Sequence, residues 1–341
     1  MGADIPAYRV GSNEPTELDV VGIGNALVDV ISQESDELID SLGIVKGTMA
    51  LIDEERATLL YDQMGSGIEV SGGSGANTMV GIAALGGRAQ YIGKVREDQL
   101  GEVFGHDLRA TGVRFDVPPA VSGPPTGRCL ILVTPDAQRT MNTYLGASTE
   151  FEPSDIDEKA IRSAEVLYLE GYLFDRPEAQ DAFRRAADIA HDAGRRVAVT
   201  LSDPFCVERH RDAFVDLVES HVDLVFANEL EALSLYECDV LEDAAVRFAE
   251  HSAIAAVTRS EKGSVVINGP SRIEVPAAPV ERIVDTTGAG DLYAAGFLYG
   301  YSRGFDLRRC AELGSVLAAE VISHIGARPE SDLATLAGHL L

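Results

Sequence analysis

The sequence predicts a three-layer α/β/α domain with a mainly parallel central sheet and a small β-sheet lid. From about residue 150 onward, short apolar runs alternate with helical stretches, the pattern of a parallel sheet with helices on its faces. Between 113 and 146 the pattern turns to a β hairpin instead. Near the C-terminus a glycine-rich turn opens directly onto an apolar helix.

Residues 1–17 carry no periodicity and read as a flexible leader to one domain over 18–341. The run Leu18-Asp19-Val20-Val21-Gly22-Ile23-Gly24 reads as a buried strand that ends at Asn25-Ala26-Leu27-Val28-Asp29. Open α/β sheets meet ligands beyond the carboxyl ends of their strands, so Asn25 and Asp29 stand where a substrate would be met. A short strand over 47–52 and a helix from Asp53 through Met64 follow. Next, Ser71-Gly72-Gly73-Ser74-Gly75-Ala76-Asn77-Thr78 opens a second helix. Its glycines allow close backbone approach to a ligand, and Ser74 and Asn77 offer side-chain hydrogen bonds. Taken alone, such a start also serves as a tight connection.

The hairpin pairs 128–133 with 139–144 around a turn at 134–138. With the strand near Met49 it forms the expected lid, inserted as segments of about 31–52 and 113–146. A lid would keep water from a reacting centre. Apolar strands at 166–169, 197–201, 224–227 and 255–258 then alternate with helices such as 178–193 and 206–220. Polar residues gather at the strand ends: Glu170, Ser202 and Asp203, Asn228 with Glu231, and Thr258-Arg259-Ser260. Two helices, about 292–303 and 307–323, close the domain.

The net charge is −27, with 28 basic against 55 acidic residues, which excludes nucleic acid and anionic membrane as partners. No run reaches the ~20 apolar residues of a membrane helix, and residues 1–17 lack the apolar core of a signal peptide, so a cytoplasmic protein is expected. The four cysteines are scattered without a paired spacing, and the seven histidines show no ligand spacing. Lysine occurs only at 46, 94, 159 and 262, and no lysine-bearing phosphate loop is present. Phosphate chemistry would therefore need another cradle.

Val284-Asp285-Thr286-Thr287-Gly288-Ala289-Gly290-Asp291 offers one. The flexible turn leaves bare N–H groups at a helix N-terminus, where about +0.5 of a charge faces an anion. Asp291 in the first turn would be repelled by a phosphate it merely bound. It therefore suits a general base that takes the proton from an attacking hydroxyl.

Asp285-Thr286-Thr287-Gly288-Ala289-Gly290-Asp291 resembles the C-terminal signature of the ribokinase-like (PfkB) carbohydrate kinases, ATP-dependent sugar and nucleoside kinases. Residues 71–78, continued by 91–101, resemble the N-terminal signature of the same family. Asn228-Glu229-Leu230-Glu231 resembles its Asn-x-x-Glu motif, and Thr258 to Gly263 its Thr-x-Gly-x-x-Gly loop, with Ser260 in place of the first glycine. The resemblance covers about 18–329. It implies a ribokinase-like fold and transfer of the γ-phosphoryl of MgATP to a primary hydroxyl, with Asp291 as base and Gly288, Ala289 and Gly290 as anion hole. Asn25, Asp29, Gly72, Gly73 and Asn77 would hold the acceptor, and Asn228, Thr258, Gly263 and Thr287 the nucleotide. Glu231 would serve Mg²⁺ and Asp285 a monovalent cation such as K⁺.

Within the family the likeness is nearest to the branch that phosphorylates adenosine, through 24–29, 72–74, 125–127, 200–205 and 223–229. Leu51, Leu145 and Tyr172 lie near segments able to form a nucleobase slot. Ribokinase, fructokinase or 2-keto-3-deoxygluconate kinase activity is the alternative, and a non-catalytic sugar or nucleoside sensor a remote one. The expected assembly is a monomer or a homodimer through the lids.

Overall fold

In the computed structural model, which describes residues 16–136, 138–251 and 254–341, thirteen strands form two sheets. The expected leader lies outside the described residues as far as residue 15, as does Ala137 of the expected hairpin turn. The strands are β1 (Leu18–Ile23), β2 (Leu27–Gln33), β3 (Met49–Leu51), β4 (Gly67–Gly72), β5 (Ala89–Ile92), β6 (Thr126–Val133) and β7 (Arg139–Gly146). They continue as β8 (Ala164–Glu170), β9 (Arg196–Thr200), β10 (Leu224–Asn228), β11 (Ile254–Thr258), β12 (Ser264–Asn268) and β13 (Ser271–Val275).

The larger sheet has the order β13-β12-β11-β10-β9-β8-β1-β5. All neighbours from β5 to β11 are parallel, and β12 and β13 add an antiparallel edge. Strand alternation sorts the side chains into two cores. Leu224 and Phe226 of β10 enter one, and Val225 and Ala227 the other. The first core lies under helices Ser74–Ala84, Ala289–Ser302 and Leu307–Val321; the second lies under Pro177–Asp192, Arg211–His221, Glu229–Tyr236 and Leu241–Glu250. Phe297 of the late helix meets Phe226 edge-on with ring centroids 5.4 Å apart. Such a pair adds about 0.5–1.5 kcal/mol beyond area burial and holds that helix against β10.

The smaller sheet has the order β3-β7-β6-β2-β4. It contains the expected hairpin, β6 with β7, and the short strand β3, but it also takes in β2 and β4. The first strand therefore does not run to Asp29. β1 ends at Ile23, and the chain crosses at Asn25-Ala26 into the small sheet, where Val28 and Val30 are buried. Residues 113–125 contribute no strand to the small sheet, and Val113 and Phe115 pack in the main core instead. The helix expected over 206–220 is two, Pro204–Arg209 and Arg211–His221, meeting at His210.

Candidate active site

Helix Ala289–Ser302 starts at Gly288, whose φ of +80° is a left-handed conformation that favours glycine. A Cβ there would also press on the backbone of Ala327, 2.7 Å from its Cα. Gly290 differs, since a Cβ built on it meets no atom of the described residues within 4 Å. The fold makes no demand for glycine at 290, and the bare backbone leaves room for a ligand. The first-turn N–H groups of Gly290 and Asp291 have no acceptor within the helix, whereas the Ala289 N–H already donates to the Thr286 carbonyl at 3.3 Å.

Asp291 is held by donors on a neighbouring helix. Ser74 Oγ donates to its Oδ1 at 2.6 Å, and Asn77 Nδ2 donates to its Oδ2 at 3.1 Å. Ser74 and Asn77 stand three residues apart at the start of helix Ser74–Ala84, hence on one face. Burial raises the Asp291 pKa, and the two hydrogen bonds only partly oppose it. Asn77, expected to hold an acceptor, has its amide engaged at both ends: Oδ1 accepts from Arg328 Nε at 3.3 Å.

Asp29 faces this group from β2. Burial pushes its carboxyl up to about 6, with Arg139 and Arg328 lowering it and the Asp291 charge raising it. Gly72 at the end of β4 leaves space for that carboxylate, since a methyl there would overlap it. Gly73, with φ of +95°, precedes the helix and approaches the Asn25 carbonyl.

Beneath lies Glu170, at the end of β8 and 1% exposed. It accepts from Asn25 Nδ2 at 3.0 Å, the Gly75 N–H at 2.8 Å and Tyr91 OH at 3.3 Å. Burial, joined by the Asp291 charge and opposed by these donors, pushes its pKa up to about 7. Glu170 thus ties the crossing at Asn25 to the start of helix Ser74–Ala84. These residues sit beyond the ends of β1 and β8, where the strand order of the large sheet reverses.

The residues expected to hold a nucleotide lie further along the same crest. Asn228 and Thr258 are partners in register at the ends of β10 and β11. Asn228 caps its helix and donates to Glu231 through both N–H at 2.9 Å and Nδ2 at 2.6 Å. Gly263 ends the loop after β11 with φ of +83°. Ser260, the departure from the glycine pattern, adopts φ of +52°, so the serine takes up a left-handed backbone. Thr287 donates through N–H and Oγ1 to Asp285 Oδ1 at 2.9 and 2.6 Å.

Two metal expectations fare differently. Burial pushes Glu231 up to about 7, the Asn228 N–H opposing and the Asp203 charge adding to it. Among the described residues the two Glu231 oxygens accept only from the neutral Asn228 and keep further lone pairs, so the residue could take a divalent cation or one of that ion's waters. No cluster of three or more metal-ligating side chains exists among the described residues. Asp285 differs in that a cation of the fold, Arg139, already pairs with it, so a monovalent cation there would share that carboxylate. Its Oδ2 accepts from Arg139 Nη1 at 2.6 Å and the Gly326 N–H at 3.0 Å, and Thr287 occupies Oδ1. Against the cost of burial, these donors hold it below the usual carboxylate range.

Sequence reading missed Arg139, which links the small sheet to the late helix, and Arg328, and it put Glu170 at a strand end without a role. None carries a local motif that would have marked it.

Comparison with known proteins gives the family of the chain. A family model described as pfkB family carbohydrate kinase matches residues 36–333. The crystal structure of adenosine kinase from Sinorhizobium meliloti is 52% identical, with TM-score 0.87, over 95% of this chain and 99% of that one. A probable sugar kinase from Rhizobium etli CFN 42 is 50% identical, with TM-score 0.88, over 96% and 100%. The adenosine kinase of Saccharomyces cerevisiae is 27% identical over 333 residues, 90% of this chain and 95% of its own length. No described helix is long and apolar enough to cross a membrane. With the ribokinase-like fold and most of its length matched, the chain belongs to the pfkB family of carbohydrate kinases and is an ATP-dependent kinase.

Proposed function

We propose that the enzyme transfers the γ-phosphoryl group of ATP to the primary hydroxyl of adenosine, giving AMP. The observation that carries this reading is Asp291, held by Ser74 and Asn77 at the mouth of a helix whose next glycine has no steric reason within the fold. Asp291 takes the proton from the attacking hydroxyl as the oxygen–phosphorus bond forms and the bond to ADP breaks. The N–H groups of Gly290 and Asp291, with the helix dipole, stabilise the charge on the phosphoryl oxygens. Asp29 accepts hydrogen bonds from ribose hydroxyls, with Gly72 and Gly73 allowing the sugar to lie close. Asn25 shapes that pocket from below, and Asn228, Thr258, Gly263 and Thr287 border the nucleotide.

Mg²⁺, when bound, neutralises phosphate charge; Glu231 and Asp203 are the residues that would hold it, through water. The small sheet acts as a lid, joined to the late helix through Arg139 and Asp285. The adenine would lie against the lid, where Leu51 of β3 is 49% exposed and thus free to pack on a base.

Adenosine is favoured because kinases of that name resemble this chain over almost its whole length in both a bacterial structure and a yeast sequence. A sugar acceptor is the second reading, supported by the similarity to the Rhizobium etli protein. A coupled ADP assay with adenosine, ribose, fructose and 2-keto-3-deoxygluconate separates them. Adenosine is expected to give the highest kcat/KM; turnover of a free sugar with none of adenosine would overturn the choice.

A further inference from the structure

Arg328 follows the close approach of Ala327 to Gly288 and reaches back to the pocket. Its Nε donates to Asn77 Oδ1 at 3.3 Å, its Nη1 lies 3.6 Å from Asp107 Oδ2, and its Nη2 is buried with no hydrogen-bond partner among the described residues. Asp107 in turn accepts from the N–H and Oγ of Ser71 on β4, at 2.8 and 2.5 Å. A continuous chain of polar contacts therefore runs from the lid strand through Asp107, Arg328 and Asn77 to Asp291.

Guanidinium only donates and an ionised carboxylate only accepts. Of the two ways an Asn77 amide can face, one alone suits both neighbours: oxygen toward Arg328 and NH₂ toward Asp291. Without Arg328 the Asn77 oxygen would be a part-buried acceptor with no fixed partner, and the side chain could turn away from the base.

We propose that Arg328 is a positioning residue for phosphoryl transfer, which locks the Asn77 amide so that it holds the Asp291 carboxylate in line with the acceptor hydroxyl. The inference rests on Asp291 acting as base and adds the residue that sets its aim. Arg328 makes no hydrogen bond to Asp291, so its effect on the base passes through Asn77, while its charge also lowers Asp29 and would show there as a change in the KM for the acceptor.

A double-mutant cycle on kcat tests this, with saturating ATP and whichever alcohol the wild type turns over fastest. Arg328→Met is expected to lower kcat about tenfold with the KM for ATP changed less than about twofold, as for loss of one positioning contact. Arg328→Met combined with Asn77→Ala is expected to be no slower than Asn77→Ala alone, and added guanidinium ion to restore activity to Arg328→Met but not to the double variant. Losses that multiply, or a single variant with wild-type kcat, would overturn the proposal. Should Arg328→Met fail to give a cooperative melt, Arg328→Lys keeps the charge and the stem but not the planar donors, and is expected to lose kcat as well; full activity would overturn the proposal. A wild type that phosphorylates no alcohol removes the proposed function together with this inference, whereas an active wild type with multiplying losses removes the inference alone.

Discussion

Replacing Asp291 with Asn keeps its shape and removes its basicity. An asparagine there can accept from Asn77 Nδ2 with its oxygen and donate to Ser74 Oγ with its NH₂, because a hydroxyl both gives and accepts. The two contacts that place the side chain are thus kept, and the loss should fall on chemistry. Removal of a general base slows turnover about 10²- to 10⁴-fold, or about 2.7–5.4 kcal/mol of barrier at 1.36 kcal/mol per decade. Stability should move the other way. Burial raises the Asp291 pKa above the ordinary 3.8, so the folded state resists ionisation that the unfolded chain accepts freely. The resulting penalty is absent below pH 3.8 and complete above the folded pKa. Asp291→Asn should therefore gain in Tm over wild type as pH rises above the ordinary carboxylate value of 3.8. The measurements are a coupled ADP assay at saturating ATP and acceptor, and thermal melts at pH 5 and pH 8. Turnover within tenfold of wild type, from a protein with a cooperative melt, would remove Asp291 as the base.

The two glycines of the helix mouth should separate by phenotype. Gly288→Ala forces a left-handed backbone on alanine and a contact with Ala327, and is expected to cost more than about 1–2 kcal/mol and several degrees of Tm. Gly290→Ala should melt like wild type yet lose turnover, because its methyl points into space kept for the phosphoryl group; full activity would place the anion elsewhere. Ser260→Gly relieves a left-handed serine at a strain of about 1–2 kcal/mol while adding about 0.5–1 kcal/mol of chain entropy, a net of about 0–1.5 kcal/mol, so Tm should rise by up to about 2 °C, and a fall would refute the strain. An ionised Asp29 can accept from two hydroxyls where a protonated one must donate its own proton, so kcat/KM should fall as pH drops through about 6, and Asp29→Asn should lose that step while keeping the fall set by Asp291 as base.

What the sequence disclosed and what it hid divide along contact distance. The alternation of apolar strands and helices after residue 150 was legible because each strand is buried on both faces and each turn is local. The glycine-rich mouth was legible for the same reason: the backbone conformation of Gly288 and the helix that follows lie within a few residues. By contrast, Asp29 was read at the end of the first strand, because nothing local marks where the chain leaves the large sheet. Only pairing with β4 and β6 shows that Leu27–Gln33 is a strand with its own buried face. Arg328 and Arg139 were hidden altogether, and of Glu170 only its place at a strand end was legible, as their partners Asn77, Asp285 and Asn25 lie 251, 146 and 145 residues away.

Ser260 shows the same division at a single position. Local preference disfavours a left-handed serine, and the missing glycine left the path of the loop open. Tertiary pairing decides it: β11 and β12 fix Thr258 opposite Ser264, and the Arg259 N–H closes on the Gly263 carbonyl at 2.7 Å. With both ends of the turn tied, the residue between them takes the conformation the register demands. A strained serine there is evidence that the sheet sets the geometry of the loop, and that the glycine pattern lowers its cost without creating it.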